Sequence, residues 1–184
     1  MNNRIRLLVA PLTAVLLLLS LSLAPAAAAG PYCGIWWGSL PKVQSGSVTV
    51  APITNVRAGQ HTCYDRLVVD VSGPVQAYNV RYVAAVTGIS GEPVPLRGGA
   101  RLQINVWAPT YDVVTGTAVY LPANPAEAVS VAGFRTFRQV RYVDSFEAVS
   151  TFGLGVRARL PFRVFVLSGP GAGSRLVIDV AHQW

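Results

Sequence analysis

Acidic residues, lysine and cysteine are all scarce in this chain, and each scarcity closes off a class of function. Eight carboxylates stand against fifteen basic residues, a formal net charge of +7, and Lys42 is the sole lysine. The basic residues form no block. They are spaced singly along apolar segments, the pattern of solvated strand faces rather than of a nucleic-acid-binding arm. Two cysteines and two histidines, Cys33, Cys63, His61 and His182, lack the number and spacing of a structural zinc site. No G-x-S-x-G or H-E-x-x-H occurs, and GPGAG at 169–173 has neither the lysine nor the helix of a phosphate loop. No amphipathic helix longer than about two turns is visible. No residue pattern calls for a cofactor.

The one long apolar run lies at the start. Arg4 and Arg6 precede apolar residues 7–23 and the alanines 26–29, the layout of a secretory signal peptide cut after Ala29. An uncleaved anchor is the alternative, opposed by Pro11 and the small-residue end. No other segment is long enough to span a bilayer. Export leaves about 155 residues, enough for one domain with a core. The total charge less Arg4 and Arg6 is +5. That charge predicts weak attraction to anionic polymers, which outside the cell are wall polymers or lipid head groups. The expected division is a signal peptide at 1–29, an extended segment at 30–47 and a β domain at 48–184. Cys33 and Cys63 read as a disulfide in an exported chain. It would stabilise the fold by roughly 3–4 kcal/mol in the chain-entropy model and tie the segment around Trp36 and Trp37 to the first long strand. A metal site from His61, Cys63 and a carboxylate is the weaker alternative.

The remaining chain reads as short strands. RLVVDV at 66–71 and RLVIDV at 175–180 are nearly the same six residues. In each, three aliphatic residues alternate with Arg, Val and Asp, so one face is apolar and the other carries two charges. Paired antiparallel in register, Arg66 would face Asp179 and Asp70 would face Arg175. A weaker echo, VRYV, occurs at 80–83 and 140–143. Further strands are expected at 53–57, 62–71, 76–86, 101–107, 138–144, 148–156, 162–167 and 175–181. Residues 118–121 form a less regular candidate, and residues 125–129 suit a small helix. Eight or so strands separated by turn signals predict an all-β, antiparallel β-sandwich.

ITNVRAGQHTCYDRLVVDVSG (53–73), FEAVSTFGLGV (146–156) and PFRVFVLSGP...SRLVIDVAH (161–182) resemble the AMIN-like domain of secreted actinobacterial proteins, and CGIWWGSL (33–40) is similar to the segment preceding it. The chain departs from that pattern where Ala148 replaces glycine and where residues 171–173 lengthen the last turn. The resemblance implies a sandwich of two small symmetric sheets. It also implies a non-catalytic module that targets the cell envelope and contacts peptidoglycan, as AMIN domains do in amidases and secretins.

Candidate contacts follow from residue type. Trp107, on the polar face of its strand, and Tyr111 suit the apolar face of a sugar. Arg135, Arg138 and Arg141, the densest basic group, suit wall phosphates. Trp36 and Trp37 are expected mainly to pack. His61, Asp65, Arg66, Asp70, Arg175 and Asp179 are expected to be structural polar residues. A secreted hydrolase using His61 and Asp65 is the alternative from another class. A module binding protein at a sheet edge is the third. The oligomeric state has no sequence signal.

Overall fold

The computed structural model describes residues 31–184. The expected signal peptide lies outside the described residues. The strands are β1 (Lys42–Gln44), β2 (Ile53–Gln60), β3 (Tyr64–Val71), β4 (Tyr78–Val83), β5 (Val86–Thr87), β6 (Pro93–Val94), β7 (Ala100–Val106), β8 (Phe137–Phe146), β9 (Val149–Val156), β10 (Phe162–Ser168) and β11 (Ser174–Ala181). Among the described residues the one regular helical piece is a 3-10 turn, Pro125–Glu127, whose Asn124 side chain accepts from the Ala126 N–H. The expected short helix is thus reduced to its first turn.

Two antiparallel sheets carry the fold. One has the order β10-β11-β3-β2 and the other β1-β4-β7-β9-β8. The two hexapeptides are adjacent at the centre of the four-stranded sheet. Arg66 lies opposite Asp179 and Asp70 opposite Arg175, the register that alternation and charge predict. Leu67, Val69, Leu176 and Ile178 point inward and are fully buried. From the facing sheet, Leu102, Ile104, Phe152 and Leu154 meet them in one apolar core. Each large aliphatic or aromatic side chain so buried contributes about 1.5–3 kcal/mol, which makes the central strands the anchor of the sandwich.

The VRYV echo also acquires a place. Its copies fall in β4 and β8, flanking the central β7 and β9. Arg81 pairs across to Gln103, Gln103 to Gly153, and Gly153 to Arg141. The two repeated arginines therefore end a single row across the sheet. Tyr82 and Tyr142 turn the other way. The Tyr82 hydroxyl donates to the Leu160 carbonyl at 2.6 Å, and burial pushes its ionisation up to about 12.

Four expectations need correction. The segment 30–47 does not merely lie over the domain, because Lys42–Gln44 adds an edge strand beside β4. The strand expected at 76–86 is broken. Its last residue, Val86, leaves the sheet and lies over the outer face, where β5 and β6 form a small hairpin. Glycines make that possible. A side-chain carbon on Gly155 would stand 1.8 Å from the Arg97 carbonyl oxygen, and one on Gly153 would press on Leu96 and Val86. The strand considered at 118–121 does not form. Ala118 makes one bridge to Tyr111, while Val119 and Tyr120 both donate to the Thr110 carbonyl. Trp36, expected to pack, is 73% exposed.

The β8–β9 turn explains the departure at Ala148. Glu147 and Ala148 have φ of 47° and 58°, as a two-residue hairpin turn of this hand requires. A non-glycine residue there pays about 1–2 kcal/mol. Glycine would escape that cost but add roughly 0.4–1 kcal/mol of unfolded-state entropy. Ala148→Gly should therefore raise the unfolding free energy by roughly 0.5–1 kcal/mol. Denaturant titration would show a higher midpoint at unchanged slope, and an unchanged or lowered midpoint would contradict the strain argument.

Candidate functional site

The outer faces of the two sheets differ in how they dispose of charge. On the four-stranded sheet, Asp179 is fully buried although it belongs to the solvent side of its strand. Arg66 closes on it with Nε at 2.6 Å and Nη2 at 2.9 Å, and Arg163 donates to it from Nε at 2.8 Å. The Arg66 guanidinium is held further above its ordinary range by that hydrogen-bonded carboxylate. Aromatic faces cover the excess positive charge. Arg163 lies over Trp37, Tyr64 and Phe165, at 5.0–5.4 Å from the ring centres. The Cys33–Cys63 bridge, with Cα atoms 6.4 Å apart, anchors the segment that brings Trp37 there. The expected disulfide is therefore present, and Cys63 is not a metal ligand. Among the described residues no cluster of His, Cys, Asp and Glu is arranged to hold a metal ion.

Of the neighbouring charges on this face, Asp70 and Arg57 pair with each other, while Arg175 makes no ion pair among the described residues and its Nε is buried without a partner. Asp70 takes Arg57 at 2.9 and 3.1 Å rather than Arg175, its partner in register. Arg57 comes from the adjacent edge strand and reaches both carboxylate oxygens at once. Arg175 donates instead to the Ser168 carbonyl at 3.3 Å.

Asp65 lies on the opposite, inward side of β3 and is fully buried. It accepts the Thr136 and Phe137 backbone N–H groups at 2.6 and 3.0 Å. Its other oxygen lies 3.1 Å from His182 Nε2, while His182 Nδ1 faces the Thr62 carbonyl at 3.2 Å. Both ring nitrogens of His182 are thus engaged, which leaves it no free nitrogen to act as a base. His61 is exposed and stacks on Tyr64 at 4.6 Å between ring centres. His61 and Asp65 therefore share no site, and the geometry a hydrolase would need from them is absent. The Asp65–His182 pair escapes sequence reading because no repeat or charge alternation links its members, which are 117 positions apart.

The outer face of the five-stranded sheet is different. Its cross-strand rows place Arg81, Arg101, Gln103, Asn105, Arg141, Asp144 and Thr151 on one side. Among the described residues, Arg81, Arg101 and Arg141 make no ion pair. The Arg141 Nε is buried without a partner, beside an open hollow of about 330 Å³ formed with Leu96, Arg97 and Gln139. The strap formed by β5 and β6 crosses this face and divides it in two.

The other candidate contact residues are scattered. The Arg138 guanidinium donates to the carbonyls of Phe134, Phe137 and Arg135 at 2.8–3.3 Å, which ties down its own loop. Arg135 is exposed. Trp107 is half-buried just beyond β7, and its backbone bonds to Thr49 and Ala77. The Tyr111 hydroxyl accepts from the Ala148 N–H at 3.2 Å, supporting the strained turn. Arg135, Arg138 and Arg141 thus do not act as one basic group. Arg81 and Arg101 were missed by sequence reading, although the repeated VRYV singles out the first.

The two faces predict different responses to substitution. Asp179→Ala leaves two arginines facing each other, and Asp65→Ala leaves two buried N–H groups and a histidine without their acceptor. Each should destabilise by about 3–5 kcal/mol. Arg57→Ala, at an exposed pair, should cost about 1 kcal/mol or less. Chemical denaturation of the three variants checks the order, and equal costs would contradict it.

Comparison with known proteins follows from this geometry. A sequence profile of the AMIN-like domain matches residues 51–182, a span from just before β2 to just beyond β11. No curated protein and no solved structure matches the chain. The matched span takes in both hexapeptides, the whole four-stranded sheet and the five-stranded sheet except β1. The chain belongs to the AMIN-like domain family.

Proposed function

We propose that this chain is an exported, non-catalytic module that binds cell-wall polymer, with residues 1–29 removed as a signal peptide. Membership of the AMIN-like family associates the chain with the cell envelope. Among the described residues no helix is long and apolar enough to cross a membrane. The observation that carries the reading is the row of arginines on the five-stranded sheet. Arg81 and Arg141 stand three strands apart, about 14 Å at ordinary strand spacing, with Arg101 nearby and, among the described residues, no carboxylate paired to any of them. Guanidinium groups held at intervals on a rigid sheet suit phosphates or carboxylates repeated along a polymer. Arg135, Trp107 and Tyr111 remain at the margins of the contact.

A second reading, strand addition by a protein partner, has one observation in its favour. β10 is an edge strand, and among the described residues its only outer partner is Gly38, which bridges Phe162. Residues 164–168 therefore offer unpaired backbone groups to an extended segment.

Sedimentation with insoluble wall separates the two readings. The protein should pellet with intact wall at low salt and be largely released by raised salt or by stripping the anionic polymers. Replacing Arg81, Arg101 and Arg141 together with alanine should abolish most of that binding without altering the melting temperature. Full retention by the triple variant would overturn the arginine reading. If Val166→Pro alone released the protein, the edge strand would be the binding element.

A further inference from the structure

We propose that a cleft on the outer face of the five-stranded sheet binds one neutral pyranose ring. The cleft holds about 230 Å³ between the strap at Ile89 and the strained turn at Phe146. That is just under the range of about 300–1,000 Å³ for sites that take drug-sized ligands, and it suits a single ring. It lies apart from the hollow beside Arg141, and no arginine lines it.

The hydrogen bonding within the cleft runs in one direction and stops at its floor. Gln103 accepts the Thr87 N–H at 3.2 Å and donates to Asn105 Oδ1 at 3.1 Å. Asn105 in turn donates to Thr151 Oγ1 at 3.3 Å. This chain leaves the second Asn105 N–H and the Thr151 hydroxyl hydrogen as donors. Beside them, one Asp144 oxygen accepts the Ile89 N–H at 2.7 Å, and the other has no partner among the described residues. Donors and acceptors thus stand side by side over three adjacent strands, β7, β9 and β8. Neighbouring sugar hydroxyls, each able both to donate and to accept, meet such a set fully.

The walls fit the same chemistry. Phe146 is 50% exposed and Ile89 64% exposed, and both line the cleft. A flat aromatic ring beside fixed polar groups suits a molecule with one apolar C–H face and polar edges. The charge argues against an anion, which would meet the Asp144 carboxylate with no cation in the lining to offset it. The site is also built in advance. Gly88 sits so close that a side-chain carbon would stand 2.1 Å from the Asp144 carboxylate, so the strap holds Asp144 in place.

The site is separate from the arginine row, and its test distinguishes the two. NMR titration of the oxidised protein would use a β-1,4-linked N-acetylglucosamine trimer, maltotriose and glucuronate. At least one neutral saccharide should give saturable shifts at Ile89, Asp144, Phe146 and the Asn105 side-chain amide. Glucuronate should give none. Phe146→Ala and Asp144→Asn should each weaken neutral-saccharide binding by about tenfold or more, while the alanine triple variant of the arginine row retains it. Resonances of β3 should remain in place in each variant, showing that the fold is intact. Absence of cleft shifts with both neutral saccharides would overturn the proposal. So would equal response to glucuronate, or variants that bind as the parent does.

Discussion

The pairing of β3 with β11 brings together segments more than a hundred positions apart in the chain. Its inner faces supply Leu67, Val69, Leu176 and Ile178 to the core, and its outer faces meet as Arg66 and Asp179. A slip of one residue would move the apolar set to solvent and leave a buried carboxylate without its guanidinium. The two errors coincide, so register is doubly specified. Because β2 pairs with β3 and β10 with β11, the other strands of this sheet take their places from that choice.

A division between the two sheets follows. On the four-stranded sheet the charges answer one another. Arg66 and Arg163 share Asp179, Arg57 takes Asp70, and Trp37 from the disulfide-anchored segment joins Tyr64 and Phe165 of the sheet against the surplus cation. Apart from Arg175, whose Nε is buried without a partner, the charged groups of that face are already paired. On the five-stranded sheet Arg81, Arg101 and Arg141 have no carboxylate partner among the described residues, and a glycine-lined track in β9 admits a strap that shapes a hollow on each side. Groups that folding leaves unsatisfied at little cost, because they remain half-exposed, are the ones available for recognition.

The sequence makes the first half of this legible and the second half obscure. Strands of the RLVVDV kind are visible because aliphatic residues recur at every second position and buried charge must find a partner. The disulfide is visible because the chain has only two cysteines to join and the expected export favours their pairing. β1 is invisible, since three residues on an edge carry no period. The strap is hidden because Val86 looks like the continuation of a strand, and what diverts it is the absence of side chains at Gly153 and Gly155 on a strand far along the chain. Asp65 is expected to be structural, but its partners, the N–H groups of residues 136 and 137 and the His182 ring, carry no local signal. The missing partners of Arg81 and Arg101 are a property of their surroundings, which no local pattern records.

Amide hydrogen exchange of the oxidised protein, free and in complex with solubilised wall fragments, tests this division most directly. The account predicts the slowest exchange in β3 and β11 in both states, with protection gained on binding confined to the strap at residues 84–99 and to β4, β7 and β8. Protection gained over β10 and the segment carrying Trp37, with the five-stranded sheet unchanged, would contradict it.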